Sequence, residues 1–209
     1  MRTVRNWLGP RDARIWRLLL AALLTCAQCG VQAGPAASPT TVVRQTVAAV
    51  LDIAQQAGPA PAQRAAALAI VKRHFDFESM SRRVLATHWA AATPAERAQF
   101  VELFTELLTR TYWRKIANYR GVPVEYVGER VREDGYATVA TRVKIDTATI
   151  PVDYRLQRTA AGWQAYDVSI EQVSLVRNYR GSFQDIVRKD GIEGLLAQIA
   201  RKVAALPTQ

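Results

Sequence analysis

The sequence predicts an α+β fold in which a meander of four antiparallel strands is wrapped by about six helices. Two changes of period carry this reading. Apolar residues recur at helical spacing from Val43 to Tyr119, and from Val124 to Ile170 the spacing switches to two. A third observation concerns the sheet itself: along its last two strands one face is apolar, so helices must cover it.

The elements follow in order. Ser38-Pro39 reads as a cap with proline at the first helical position, and Val43, Val47, Val50 and Ala54 then recur on one face. Gly58-Pro59-Ala60-Pro61 breaks that helix, and Gln63 to Val71 forms a second, alanine-rich one. Asp76 caps a short third helix through Leu85. Thr93-Pro94-Ala95-Glu96 combines a capping box with proline in the first turn. The helix it opens carries two stripes, Phe100, Phe104, Leu107, Thr111, Lys115 and Val101, Leu108, Tyr112, Ile116, Tyr119, which with Leu103 make a face wider than one neighbour needs. Gly121 and Pro123 end it.

Val124 to Val131, Tyr136 to Ile145, Ile150 to Gln157 and Trp163 to Ile170 read as the four strands, joined by connections short enough for hairpins. In the third, Ile150, Val152, Tyr154 and Leu156 share one face. In the fourth, Tyr166, Val168 and Ile170 oppose Ala165, Asp167 and Ser169, which places Asp153 and Asp167 on the water side. Ser182 to Lys189 then forms a helix, and Asp190-Gly191-Ile192-Glu193 is a second capping box that opens a last amphipathic helix through Leu206.

The first 33 residues read as a cleaved signal peptide. Five arginines precede an unbroken apolar run, Leu18 to Leu24, which is too short to span a bilayer, and Val31-Gln32-Ala33 supplies small residues before a cut ahead of Gly34. The remainder, 34–209, is expected to be a single domain. Leu23-Leu24-Thr25-Cys26 is a competing, loose lipoprotein box, in which Thr25 fits poorly. Both cysteines, Cys26 and Cys29, lie in this leader, so the exported part has no disulfide and no thiol chemistry. The full chain has a net charge of +10 and stays basic after the leader is removed. Arginines interleaved with acids point to a solvated surface and no nucleic-acid partner.

Catalytic signatures are missing. The two histidines, His74 and His88, are fourteen residues apart without carboxylate helpers, so no metal site is expected. No serine has a partner base, and carboxylates facing water would titrate near their ordinary values, which leaves no neutral-pH acid or base. No catalytic residue and no cofactor are assigned. The aromatic set Tyr112, Trp113, Tyr119, Tyr154, Tyr166, Tyr179 and Phe183 suits either a core or the wall of a ligand cavity, since a tyrosine hydroxyl wants a partner. Arg177 and Arg180 could meet a phosphate or solvate a helix face.

Four stretches in succession, FDFESMSRRVLATHW from Phe75, TPAERAQF, LLTRTYWRKIANY and WQAYDVSIEQVSLVRNYRGSF, resemble the MlaC family of periplasmic phospholipid carriers, the toluene-tolerance auxiliary proteins of ABC transporters. The resemblance runs from about Pro39 to Leu206. It departs at Gln172, where the family pattern has Gly in IEGVSLV, and at Gly181-Ser182, where it has Ser-Gln. It implies one domain with a deep apolar lipid cavity that takes a glycerophospholipid, and a monomer in the periplasm. It also implies two partners, an outer-membrane lipoprotein–porin complex and an inner-membrane ABC transporter with a substrate-binding ring, in a pathway that maintains outer-membrane lipid asymmetry. The residues assigned to the lipid wall on this basis are Phe104, Leu108, Tyr112, Ile116, Tyr119, Val139, Val152, Tyr154, Leu156, Tyr166, Val168, Ile170, Leu175, Tyr179 and Phe183. A hopanoid carrier, and a small-molecule isomerase or hydrolase on a similar curved sheet, remain as alternatives.

Overall fold

The computed structural model describes residues 37–57, 60–118, 121–145 and 147–206. Residues 1–33, read above as a signal peptide, and Tyr119 lie outside the described residues. Six helices are present among those described: α1 (Pro39–Gln55), α2 (Ala60–His74), α3 (Phe77–Leu85), α4 (His88–Ala91), α5 (Pro94–Asn118) and α6 (Leu175–Ala205). Five strands, not four, form one antiparallel sheet in the order β1 (Val124–Val131), β2 (Tyr136–Ile145), β3 (Ala148–Thr159), β4 (Gly162–Ile170) and β5 (Val173–Ser174). The fold is α+β.

The extra strand arises from a two-residue turn. Ile170 pairs with Val173 and Ser169 with Ser174, so Glu171 and Gln172 alone reverse the chain, with φ of 50° and 66°. Positive φ at both central residues is the twist that a two-residue hairpin demands, and glycine or asparagine normally supplies it. Gln172, which stands where the resemblance leads one to expect glycine, is thus held in a left-handed conformation.

Capping explains where the helices start. Ser38 Oγ accepts the N–H of Thr41 at 3.1 Å. The Thr93 N–H reaches Glu96 Oε2 at 2.7 Å while the Glu96 N–H reaches Thr93 Oγ1 at 3.2 Å, the reciprocal pair that the sequence predicts. Helix α6 starts at Leu175, seven residues before the predicted Ser182, because Ser174 Oγ accepts the Arg177 N–H at 3.1 Å and caps the helix there. Its run continues past Lys189. Gly191, at φ 72° and ψ −176°, breaks the helical path at the predicted second start.

The motif around Phe75 is a strap between helices and sheet. Phe75 bridges Ala165 in parallel fashion and the Asp76 N–H donates to the Ala165 carbonyl at 2.9 Å. Asp76 then caps α3 through the Ser79 N–H at 2.8 Å, and Gln157 of β3 donates to Asp76 Oδ2 at 2.7 Å. One aspartate thus ties α3 to two strands.

The wide apolar face of α5 has two destinations. Phe100, Phe104 and Leu107, all fully buried, pack with Met80 and Val84 of α3 and with Tyr179, Phe183 and Leu195 of α6. Ring contacts fix this core: Phe104 meets Tyr179 edge-on at 5.2 Å and Phe183 at 6.2 Å. The second stripe turns toward the inner face of the sheet. There α1 and α2 complete the enclosure, with Val43 packed on Val139, Leu156 and Trp163 at one end and Val50, Ala54 and Ala67 against Trp113 at the other.

Candidate lipid-binding cavity

Between the sheet's inner face and helices α1, α2 and α5 the side chains do not meet, and a cavity of about 390 Å³ remains. That is within the range of small-molecule and cofactor sites. From the sheet, Val143, Ile145, Ile150, Val152, Tyr154, Leu156, Ala165, Val168 and Ile170 line it. From α1 come Val42, Val43, Thr46, Val47, Val50 and Leu51, and from α2 Ala67, Leu68, Val71 and His74. Leu108, Thr109, Tyr112, Trp113 and Ile116 of α5 form the third wall, and Leu175 opens α6 beside it.

The wall is apolar even where its residues are not. Thr46 Oγ1 donates to the Val42 carbonyl at 2.7 Å and Thr109 Oγ1 to the Thr105 carbonyl at 2.7 Å, so both hydroxyls are used within their own helices. Burial, aided by Tyr179, pushes the Tyr112 phenol up to about 12. Burial, and then Tyr126, raises the Tyr154 phenol well above its ordinary range. Burial, and then the Arg73 charge, hold His74 below 6.5. All three favour the neutral form, as a low-dielectric surrounding requires. Lys115 and Glu171 also line the cavity, and both are exposed, so they mark its rim.

The sequence-assigned wall is thereby sorted. Leu108, Tyr112, Ile116, Val152, Tyr154, Leu156, Val168, Ile170 and Leu175 line the cavity. Phe104, Tyr179 and Phe183 do not: they belong to the helical core, because α3 and α6 claim that stripe of α5. Val139 is fully buried in the cluster with Val43 of α1 and is not among the residues that line the cavity. Tyr119 lies outside the described residues.

Tyr166 is the most instructive departure. Arg155 pairs with Asp167 but Leu156 pairs with Ala165, so Tyr166 is an extra residue in a β-bulge. The bulge inverts the alternation, and Ala165 takes the inward place that regular alternation gives to Tyr166. Tyr166 sits instead on the outer face, edge-on to Tyr136 at 5.6 Å, with the Arg83 guanidinium 4.2 Å from its ring centroid.

Asp167 also departs from the water-facing place expected of it. It is only 3% exposed. Its carboxylate accepts from Ser174 Oγ at 2.6 Å, from the Val176 N–H at 3.1 Å and from Arg155 at 3.0 Å. It therefore holds the start of α6 to β4, on the face away from the cavity. Asp153 is half-buried and does not line the cavity either.

What the sequence missed is chiefly the contribution of α1 and α2. The apolar stripe Val43, Val47, Val50 was legible, but not that it faces a void. Among the described residues no helix is long and apolar enough to cross a membrane, and no group of acidic, histidine or cysteine side chains could hold a metal ion.

This chain is similar to a phospholipid-binding protein from Ralstonia solanacearum, solved in complex with a phospholipid. The TM-score is 0.74 at 26% identity, over 81% of this chain and 99% of that one. It is also similar to the intermembrane phospholipid transport system binding protein MlaC of Haemophilus influenzae, 18% identical over 136 residues. That match covers 63% of this chain and 64% of the relative, so the chain spans just under two thirds of the relative's length. The MlaC family model matches residues 41–201. With that match running from α1 through nearly all of α6, across every wall of the cavity, the chain belongs to the MlaC family.

Proposed function

We propose that this chain is a carrier that encloses the acyl chains of a glycerophospholipid in the cavity described above and moves it between the outer and inner membranes. The observation that carries the reading is the composition of the wall: three helices and the inner face of the sheet meet around a void that they line almost entirely with aliphatic and aromatic groups. Two acyl chains hold about 30 methylenes, and at about 0.8 kcal/mol each their exposure would cost on the order of 24 kcal/mol. A lipid does not cross an aqueous gap at that cost, and an apolar sleeve removes most of it. The phospholipid held by the Ralstonia relative supports the choice of ligand.

On this reading the protein acts in the periplasm, exported by its leader, and exchanges lipid with an outer-membrane lipoprotein–porin complex and an inner-membrane ABC transporter with a substrate-binding ring. The pocket by itself favours neither membrane, so a docked partner must supply the difference in affinity that loads or unloads it. The carrier leaves its lipid chemically unchanged. Support for this comes from the two strand carboxylates weighed as catalytic candidates: Asp153 and Asp167 stand outside the cavity, Asp167 is committed to holding α6, and the one lining carboxylate among the described residues, Glu171, is exposed at the rim.

The test is transfer with product analysis. The protein is loaded with labelled phospholipid and incubated with acceptor vesicles, and the lipid is analysed before and after. Intact lipid in the acceptor supports the carrier. Lyso-lipid or free fatty acid that depends on Asp153 or Asp167 would replace it with a lipase.

A further inference from the structure

Among the described residues, the side-chain hydroxyls that line the cavity are those of Thr46, Thr109, Tyr112 and Tyr154. The two threonines spend theirs on carbonyls of their own helices. The two tyrosines do not, and among the described residues neither phenol has a hydrogen-bond partner in the protein. Nor are these phenols sealed off, since the closed-in side-chain atoms without a partner are Ser81 Oγ, Arg83 Nε, Thr111 Oγ1 and Ser169 Oγ. Both hydroxyls therefore open onto the cavity.

Acyl chains do not account for them. A methylene offers no acceptor, and phenylalanine would build the same apolar wall without leaving a hydroxyl unpaired in it. Burial keeps both phenols protonated at neutral pH, so each remains a donor. The two also share a level in the cavity. On β3, Tyr154 lies two residues, about 7 Å, below Val152, the partner of Ile170 beside the exposed Glu171. On α5, Tyr112 lies three residues, about 4.5 Å, below the exposed Lys115. Leu156 and Leu108, the next lining residues inward on those elements, have nothing to donate.

We propose that Tyr154 and Tyr112 donate hydrogen bonds to the ester carbonyls of the bound lipid, so that the linkage between glycerol and acyl chain decides what this cavity accepts. This rests on the carrier reading. With the headgroup outside the rim and the chains among aliphatic side chains, the ester groups are the oxygens that lie between, at the level of the two phenols. An ether-linked lipid has the same headgroup and the same chains but lacks the carbonyl. Losing that acceptor leaves the phenols unpaired in the loaded cavity, a difference of about fivefold in affinity.

The experiment loads delipidated protein from vesicles containing equal amounts of diester and diether phosphatidylethanolamine with identical chain lengths, then quantifies both lipids in the recovered protein. The wild type is expected to favour the diester about fivefold. Tyr154→Phe and Tyr112→Phe keep the rings, and the double variant is expected to bring the ratio toward one. Because the hydroxyls have no partner in the protein, none of these variants is expected to lower the Tm of the delipidated form. A loaded wild type with the ratio of the vesicles, a double variant with the wild-type ratio, or a lowered Tm overturns the ester contact and leaves the carrier standing. A protein that takes up neither lipid overturns both.

Discussion

Asp167 and Ser174 are seven residues apart in sequence, yet Ser174 Oγ donates to Asp167 Oδ2 at 2.6 Å across the turn that Glu171 and Gln172 make. The same carboxylate takes the Val176 N–H at the start of α6, where the helix dipole favours negative charge. Sheet and last helix are joined at this point. Asp167→Ala strips three donors of their acceptor in a buried place and should cost about 3 kcal/mol. Chemical denaturation measures it; a loss below about 1 kcal/mol, the scale of an exposed pair, would mean the junction is open to water.

Strand phase gives a sharper test of the wall. Val168 faces the cavity and Tyr166, two residues away, faces outward through the bulge. Val168→Arg places a charge in an apolar void that it cannot occupy without water. Lipid retention should be lost while the fold largely survives. Tyr166→Gln should retain lipid at the wild-type level. Extraction and quantification of copurified lipid decides, and the opposite ranking of the two variants would move the bulge.

Gln172 at φ 66° pays for a conformation that glycine adopts freely. The left-handed region costs about 1–2 kcal/mol for a residue with a Cβ, and glycine's extra freedom in the unfolded chain returns about 0.4–1 kcal/mol of that. Gln172→Gly should therefore stabilise by about 0.5–1 kcal/mol, a rise in Tm of about 2 °C for a chain of this size. A lowered Tm would show that the Gln172 side chain makes a contact worth more than the strain.

His74 gives the pH dependence. Burial, and then Arg73, hold it below 6.5, so the folded protein prefers the neutral ring. That contribution is complete above 6.5 and is lost as pH falls through the lower folded value. Acyl chains in the cavity remove further water from the ring and strengthen the preference. Lipid retention should then fall as pH drops below 6.5, and His74→Gln should flatten the profile. An unchanged acid loss in His74→Gln would assign the effect to other groups.

Much of this molecule can be read from its sequence, and the failures have physical causes. Alternation places β1 and β2 at their observed bounds, and places Ile150, Val152, Tyr154 and Leu156 on the inner face. The bulge at Tyr166 leaves no mark, because one inserted residue changes the phase without changing the composition. Leu108 and Phe104 are one helical turn apart and chemically alike, yet one faces the void and the other the core. Packing of α3 and α6 decides between them, and that is a long-range fact. The early start of α6 was visible in principle: Val176, Tyr179, Phe183 and Val187 keep helical spacing across the family motif.

Native mass spectrometry of the purified protein, followed by extraction of what it carries, tests the central claim most directly. The account predicts a population heavier than the bare chain by the mass of one glycerophospholipid, which extraction returns intact and which Val168→Arg lacks. A bare chain from a lipid-rich preparation, or a bound polar small molecule in place of a lipid, would contradict it.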